Sequence, residues 1–533
     1  MWSYQKYFVY KSARIEQQKA IEFAIDSFVK NQKRFVIVEA GTGVGKSAIG
    51  FSVARYINDM FSGDSYFLTT QKILQEQYVK DFSHFGLNNL KSSSNYLCSF
   101  YKGAQSCSAV LRELKVTNNQ KLKQCCGGGN CHYSQEKKRF ISGNFGITNF
   151  SYFLAETNYS GQLQKRELLV IDEAHNIEIE LSKFVEVSIS EHFSEKILKL
   201  KVPKDIKSQF AVHKWIMDSY LPKLLKIKKH FEKTLEKFNI SQDKLKDFLQ
   251  ISSKFDLIDK HACKIERFLD VYEKDNWVLN ISETEKAGSR KFEFKPIDIS
   301  HFTESNLFNR GNKILMMSAT IMDKDAFCES LGIDKNDCDF ISLPSPFKKE
   351  NKPILFSPVG SMAMKSIDQT LPKMALAVKA ILDNHPNEKG IIHCHSYKIA
   401  KYLEENIKSD RILTHDSENR DRILFMHTNE SKPTVILSPS MSEGVDLKGD
   451  ASRFQVICKI PYPYLGDKLV KKRMNKWKWW YSLQTAKTIV QSVGRSIRTE
   501  TDHAVTYILD EDWNRFYEKN KSIFPKDFKD CIL

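Results

Sequence analysis

The run Phe35-Val36-Ile37-Val38-Glu39-Ala40-Gly41-Thr42-Gly43-Val44-Gly45-Lys46-Ser47 constrains this 533-residue chain more than any other stretch. It opens as a short β-branched apolar segment, which reads as a buried strand. Glycines follow, and Lys46-Ser47 begins an amphipathic helical pattern. Strand, glycine loop and helix in that order build a phosphate cradle, because glycines let backbone N–H groups close around phosphate oxygens. Gly41, Thr42, Gly43, Val44 and Gly45 are the expected cradle. Lys46 would reach the β- and γ-phosphates, and the Ser47 hydroxyl would hold Mg²⁺. Ala40 stands where the usual pattern has its first glycine. The bland alternative, a glycine turn before a helix, does not explain why the context fits on both sides.

A second stretch narrows the reading. Leu168-Leu169-Val170-Ile171-Asp172-Glu173-Ala174-His175 is another apolar strand ending in carboxylates. Asp172 suits an indirect Mg²⁺ contact, and Glu173 is placed to orient and deprotonate an attacking water. The two stretches in this order make ATP hydrolysis the expected chemistry.

The charge balance is +16, from 81 basic and 65 acidic residues. Such an excess suits a polyanionic partner, with nucleic acid first. The opening residues lack the apolar core of a secretory signal, and no run of eighteen apolar residues occurs, so a cytoplasmic protein without a membrane span is expected. Eleven cysteines are present, and five fall between Cys98 and Cys131. One tight cluster in a long intracellular chain points to a metal or iron–sulfur centre rather than disulfides. Cys98, Cys107 and Cys131 supply three thiolates. Adjacent Cys125 and Cys126 compete for the fourth place, and Cys126 is preferred. Zinc is the rival, although paired C-x-x-C knuckles are missing. Apolar content around these cysteines is low, so a bound centre would hold that segment together.

In chain order, helical spacing of Ile21, Ala24, Ile25 and Phe28 follows Arg14 and Gln17. A Gln17 amide could read an adenine edge, with a surface role equally open. Ser65–Thr70 reads as a strand and Gln71–Phe82 as a helix. Thr70 there is either a helix cap or a phosphodiester contact. Residues 191–275 are lysine-rich and helical, with Leu221, Leu224, Leu225, Phe231, Leu235 and Phe238 along one face. Trp277–Ser300 reads as strands returning to the first sheet, which Lys313–Thr320 completes. Ser345-Pro346-Phe347 reads as the crossing into a second α/β unit. There, Trp477–Val490 is expected to be helical and to lead into Gln491-Ser492-Val493-Gly494-Arg495-Ser496-Ile497-Arg498. Arg495 and Arg498, three apart on one helical face, could clamp a γ-phosphate.

With these motifs in place, the chain resembles the XPD/DinG iron–sulfur helicases of superfamily 2. The resemblance rests on Ala-Gly-Thr-Gly-Val-Gly-Lys-Ser, Thr-Thr-Gln-Lys-Ile-Leu, Asn-Tyr-Leu-Cys with the later cysteines, and Asp-Glu-Ala-His. It continues through Ser-Ala-Thr, Ser-Pro-Phe, Glu-Gly-Val-Asp-Leu and Gln-Ser-Val-Gly-Arg-Ser-Ile-Arg. It implies an α/β architecture of two RecA-like parallel-sheet domains with an inserted iron–sulfur domain and a small helical arch. The boundaries expected are 1–90, 141–190 and 276–345 for the first RecA-like domain, 91–140 for the iron–sulfur domain, 191–275 for the arch and 346–533 for the second RecA-like domain. The resemblance also implies ATP, Mg²⁺ and a 4Fe–4S cluster on Cys98, Cys107, Cys126 and Cys131. Arg14 and Gln17 match the adenine-reading motif, and Asp446 joins the nucleotide-binding residues. Gln491, Arg495 and Arg498 match the γ-phosphate-sensing motif, and His175 matches a coupling residue. The implied activity is 5′→3′ translocation on single-stranded DNA by a monomer that unwinds forked, R-loop-type or DNA–RNA hybrid substrates. The rivals are a translocase that strips proteins or RNA without separating strands, and a non-catalytic redox sensor that binds nucleic acid.

Overall fold

The structure is a computed structural model. It describes residues 3–103, 105–116, 120–127, 131–237, 245–283, 289–416, 418–439, 447, 449–497, 499 and 501–533. Among the described residues, ten strands precede Ser345. They are β1 (Phe35–Ala40), β2 (Ser65–Thr69), β3 (Leu87–Asn89), β4 (Phe145–Asn149), β5 (Arg166–Asp172), β6 (Val187–Ser190), β7 (Trp277–Glu283), β8 (Arg290–Pro296), β9 (Gly311–Ser318) and β10 (Cys338–Leu343). The second half adds β11 (Ile354–Gly360), β12 (Gly390–His393), β13 (Ile412–Thr414), β14 (Val435–Ser438), β15 (Phe454–Ile457) and β16 (Val505–Asp510).

Two parallel sheets carry the architecture. The first runs β10-β1-β9-β5-β2-β4-β3 and the second β11-β16-β15-β12-β14-β13. Every residue of β1, β2, β12, β14 and β15 is buried. This is why those segments read as unbroken apolar runs: helices cover both faces of a parallel sheet. The order also decides where chemistry can occur. β1, β9 and β5 are neighbours, so the ends of the glycine-loop strand, the Ser318 strand and the Asp172 strand open side by side. The crevice beyond the carboxyl ends of such strands is where open α/β sheets bind ligands.

Trp277–Ser300 does not return to the first sheet. β7 and β8 pair antiparallel with each other, and β8 pairs antiparallel with β6. The sequence reason lies in the burial of Arg290–Pro296, which alternates along the strand. A strand buried on one face suits a small antiparallel sheet and not a doubly covered parallel one.

Two insertions interrupt the first domain. Cys107–Val116, Gln120–Gly127 and His132–Ser142 form short helices between β3 and β4. Glu191–Lys196, Gln209–Trp215, Leu221–Glu236 and Leu245–Asp270 lie between β6 and β7. Leu224 and Leu235 are buried, and Leu221, Leu225 and Phe231 pack beside them as the apolar spacing required. Phe238, Gly128 and Gly129 lie outside the described residues. Both insertions share one continuous core with a face of the first sheet, through Cys98, Cys107, Val110, Ile258, Ile265 and Phe268. The cysteine segment is therefore not held by its own apolar content alone, since it leans on the parent domain.

Candidate nucleotide site

The glycine loop is closed from two sides. Arg14 is the N-cap of helix Ile15–Val29, and its backbone N–H donates to Gln17 Oε1 at 2.9 Å. Its guanidinium Nη1 donates to the Gly43 carbonyl at 2.6 Å. Gln17 is buried, so the surface alternative for it is excluded. A Cβ on Gly45, whose φ is +87°, would lie 2.5 Å from Gln17 Nε2. Arg14 and Gln17 are thus brought to the loop that carries Lys46 and Ser47. On the other side sits Ser345-Pro346-Phe347. Ser345 Oγ donates to the Thr42 carbonyl at 3.3 Å. A Cβ on Gly43, φ +86°, would come within 2.1 Å of the Phe347 ring. Ser345-Pro346-Phe347 is more than a crossing between domains, because Phe347 also packs with Ile497 and Ala504 of the second domain.

Asp172 and Glu173 end β5 facing this loop. Lys46 Nζ stands 3.8 Å from Glu173 Oε1. Glu173 has φ +52°, a left-handed backbone that non-glycine residues adopt rarely and mostly at functional sites. Its own N–H donates to Asp172 Oδ1 at 2.9 Å, and the buried Tyr78 hydroxyl donates to Asp172 Oδ2 at 2.9 Å. Burial, reinforced by the charge of Glu173 and opposed by Lys46, pushes the Asp172 carboxyl up to about 6. Two carboxylates crowded at a strand end beside Ser47 fit a divalent cation, which would neutralise the repulsion that raises Asp172. Tyr78 was not legible as part of the site, since an aromatic in the helix Lys72–Phe82 reads as core.

The site continues along the neighbouring strand. His175 Nδ1 lies 2.8 Å from Ser318 Oγ and 3.3 Å from Glu173 Oε2. Ser318 Oγ accepts from the Thr320 N–H at 3.1 Å. Burial pushes His175 down to about 3, so its ring is neutral at physiological pH. The second domain then closes the chain of contacts. Gln491 Nε2 donates to Thr320 Oγ1 at 3.2 Å, and Lys487 Nζ donates to the His175 carbonyl at 3.4 Å. The positive charge of Arg495 reaches His175 as well. Arg495 is not on a helical face. Helix Trp480–Val493 stops at Gly494, whose N–H caps the Val490 carbonyl, and Arg495 follows in a turn. Arg498 and Asp446 lie outside the described residues.

Thr70 does not cap the next helix. Gln71 is the N-cap of Lys72–Phe82, and the Thr70 hydroxyl is buried without a partner at the end of β2.

The cysteines gather. Cys98, Cys107 and Cys131 are buried in one core, and Cys126 packs against it. Burial, then the neighbouring Cys131 and Cys98 thiols, push both Cys107 and Cys126 up to about 12. Of the adjacent pair, Cys126 is the one that packs against the core holding Cys98, Cys107 and Cys131. Among the described residues, no three His, Cys, Asp or Glu side chains surround one point as ligands of a single ion. A multi-iron cluster takes one thiolate per iron from around a cage, and four thiols gathered at one core, Cys98, Cys107, Cys126 and Cys131, fit that demand by donor chemistry. Beside it opens a cleft of about 1020 Å³ between the cysteine insertion and the helical insertion. Arg112, Lys137, Lys183, Lys260 and Lys264 line it together with Glu156, Glu180, Asp256 and Asp259, and Lys137, Lys183 and Lys260 are paired with Glu156, Glu180 and Asp256.

Comparison with known proteins places this geometry. A helicase C-terminal domain model matches residues 378–531, and the model of the type III restriction enzyme res subunit matches residues 10–201. The chain is 22% identical over 597 residues to the ATP-dependent DNA helicase YoaA of Haemophilus influenzae, covering 95% of this chain and 91% of that protein. The chain is similar along nearly its whole length to an ATP-dependent DNA helicase. A probable ATP-dependent helicase of Methanocaldococcus jannaschii is also 22% identical, with 95% and 93% covered. The ATP-dependent DNA helicase DinG of Photobacterium profundum is 26% identical over 44% of this chain and 36% of its own length. Among solved structures, an XPD helicase superposes with a TM-score of 0.63 at 16% identity, covering 96% of this chain and 98% of its own. The Xpd4 structure from S. tokodaii gives 0.59 at 15% identity, with 96% and 99% covered. The XPD-like fold and its two parallel-sheet domains agree with the architecture expected from the motifs. Among the described residues, no helix is long and apolar enough to cross a membrane.

Proposed function

We propose that this protein belongs to the XPD/DinG family of superfamily 2 helicases and is an ATP-dependent DNA helicase that moves 5′→3′ along single-stranded DNA and separates duplex or DNA–RNA hybrid ahead of it. One observation carries the reading. Gln491 and Lys487 of the second domain donate to Thr320 and His175 of the first, and the charge of Arg495 reaches His175, next to Glu173 and its Lys46 partner. A triphosphate bound by the glycine loop would touch both halves, so its hydrolysis would change how they fit.

Each side chain has a part in this scheme. Lys46 leaves its Glu173 partner for the β- and γ-phosphates. Ser47 and Asp172 would hold Mg²⁺, which would supply charge neutralisation at the phosphates. Glu173, freed from Lys46, takes the proton of the attacking water. His175, held neutral, passes the arrangement of Glu173 through Ser318 and Thr320 to Gln491. Arg495 with Arg498 stabilises the charge leaving with the γ-phosphate, Asp446 supports the nucleotide from the second domain, and Arg14 with Gln17 reads the adenine. Cys98, Cys107, Cys126 and Cys131 would hold a 4Fe–4S cluster, which would tie the cysteine insertion together. The strand is taken through phosphate contacts by the excess of basic side chains on the protein, so binding is salt-sensitive and largely indifferent to sequence. We place the protein in the cytoplasm as a monomer, acting on forked or R-loop-type DNA.

The test is ATP hydrolysis with and without single-stranded DNA, run on the wild type and on Lys46→Ala. The wild type should be stimulated by the DNA, and the variant should lose hydrolysis while keeping DNA binding. Turnover surviving in Lys46→Ala would remove the glycine loop from the chemistry. Fork unwinding measured beside removal of a bound protein roadblock then separates a helicase from a translocase.

A further inference from the structure

Helix Lys468–Lys476 of the second domain has two faces with different surroundings. Lys468, Lys471 and Lys472 are exposed. Arg473 turns the other way, is 9% exposed, and enters the first domain. Its guanidinium Nη1 pairs with Glu178 Oε1 at 2.6 Å. Nε donates to the Ile297 carbonyl at 2.9 Å and Nη2 to the Pro296 carbonyl at 3.3 Å. Lys476 pairs with Asp298 alongside, and Trp479 Nε1 donates to Glu329 Oε2 at 3.0 Å. A planar fork held by a carboxylate and two carbonyls fixes direction as well as distance, which a lone ammonium does not.

The position of Glu178 gives this contact its meaning. Glu178 lies in the first turn of helix Ile177–Val185, which begins two residues after His175. That helix is the continuation of Asp172-Glu173-Ala174-His175, and Glu173 sits in a strained left-handed conformation at its root. One short helix therefore offers three lysines to solvent and grips, through its only buried arginine, the segment that aims the proposed catalytic carboxylate.

We propose that Arg473 is a positioning residue: single-stranded DNA on the lysine face of Lys468–Lys476 is communicated through Arg473 and Glu178 to Glu173, so that the polyanion accelerates hydrolysis. The inference rests on the helicase reading above. The bound strand draws the helix by its lysines, the guanidinium fork moves with it, and Glu178 carries the shift into the helix that follows the carboxylates. A contact that only holds the domains together would not favour the DNA-bound state.

The experiment uses the full chain and measures steady-state ATP hydrolysis with and without oligo(dT), with oligo(dT) affinity and thermal unfolding measured on the same preparations. Arg473→Met should lower the ratio of stimulated to basal rate about tenfold, while basal rate and oligo(dT) affinity stay within about threefold. Glu178→Gln should move the ratio in the same direction. Arg473→Lys keeps charge without the fork and should fall between. An unchanged ratio in Arg473→Met overturns the inference, and so does an equal fall of basal and stimulated rates. If Arg473→Met does not fold, Arg473→Lys and Glu178→Gln carry the same expectation. A wild type that oligo(dT) does not stimulate refutes the helicase reading itself, whereas a stimulated wild type with insensitive variants refutes only the role of Arg473.

Discussion

Gly43→Ala offers the sharpest test of how the glycine loop is built. Two independent costs follow from the structure. The backbone at Gly43 has φ +86°, and a side chain there costs about 1–2 kcal/mol. The new Cβ would also meet the Phe347 ring at 2.1 Å, well inside contact distance. That ring is enclosed by Ile497 and Ala504, so it cannot swing aside freely. Overpacking of this kind costs about 1–3 kcal/mol. The single variant should therefore lose about 2–5 kcal/mol, adding the two ranges. In a Phe347→Ala background the steric part vanishes and only the backbone part remains. A double-mutant cycle should then return a coupling of about 1–3 kcal/mol in favour of the double variant. Denaturant unfolding read by circular dichroism gives the energies, and binding of a fluorescent ATP analogue reports whether the loop recovers. Additivity of the two substitutions within about 0.5 kcal/mol would show that Phe347 does not rest on the loop, and the description of the site would fail there.

Three further outcomes are expected. Cys126→Ser should bleach the visible absorbance of anaerobically reconstituted protein, whereas Cys125→Ser should keep it, because of the adjacent pair Cys126 packs against the core that holds Cys98, Cys107 and Cys131; bleaching in both or neither would refute that choice. Gln491→Ala removes the bond to Thr320, worth about 0.5–1.5 kcal/mol, and should lower DNA-stimulated kcat about two- to tenfold without changing DNA affinity. His427 is buried, with Nε2 donating to the Ala451 carbonyl at 2.7 Å and Nδ1 accepting from Thr434 Oγ1 at 2.9 Å. Burial pushes its pKa down to about 4, so the unfolded chain takes up a proton before the folded one does as pH falls. Its contribution is complete above the unfolded value of about 6.5 and is lost toward about 4, which amounts to about 2 kcal/mol between pH 7 and pH 5. His427→Gln should flatten that part of the stability profile measured by denaturant unfolding.

The parts of the fold legible in the sequence were those where local pattern and tertiary role agree. β1 and β5 are buried on both faces, so their apolar runs and terminal Gly or Asp-Glu motifs announced both strand and site. Helix Ile15–Val29 and helix Leu221–Glu236 showed their buried faces as spacing. What stayed hidden depended on distant partners. β8 carries the alternation of a half-buried strand, but nothing local says that β6, a hundred residues earlier, is its neighbour. Tyr78 reads as core until Asp172 is placed against its hydroxyl. Phe347 reads as part of a turn until Gly43 and Ile497 are brought to it from opposite ends of the chain. The arginine segment misled for a local reason: spacing three apart suggested a helix, and Gly494 ends the helix just before it.

The small antiparallel sheet has a consequence for how such a chain can change over time. β6 leaves for the helical excursion and β8 comes back beside it, with Val187 opposite Phe294 and Ser190 opposite Lys291. Departure and return are thereby sewn together at the hem. Helices between those stitches can lengthen, shrink or be exchanged at a cost that grows only slowly with loop length. The strands downstream of the seam keep their register as long as the helix faces that share their core stay apolar, and lineages are free to tailor the rest of that region to new tasks.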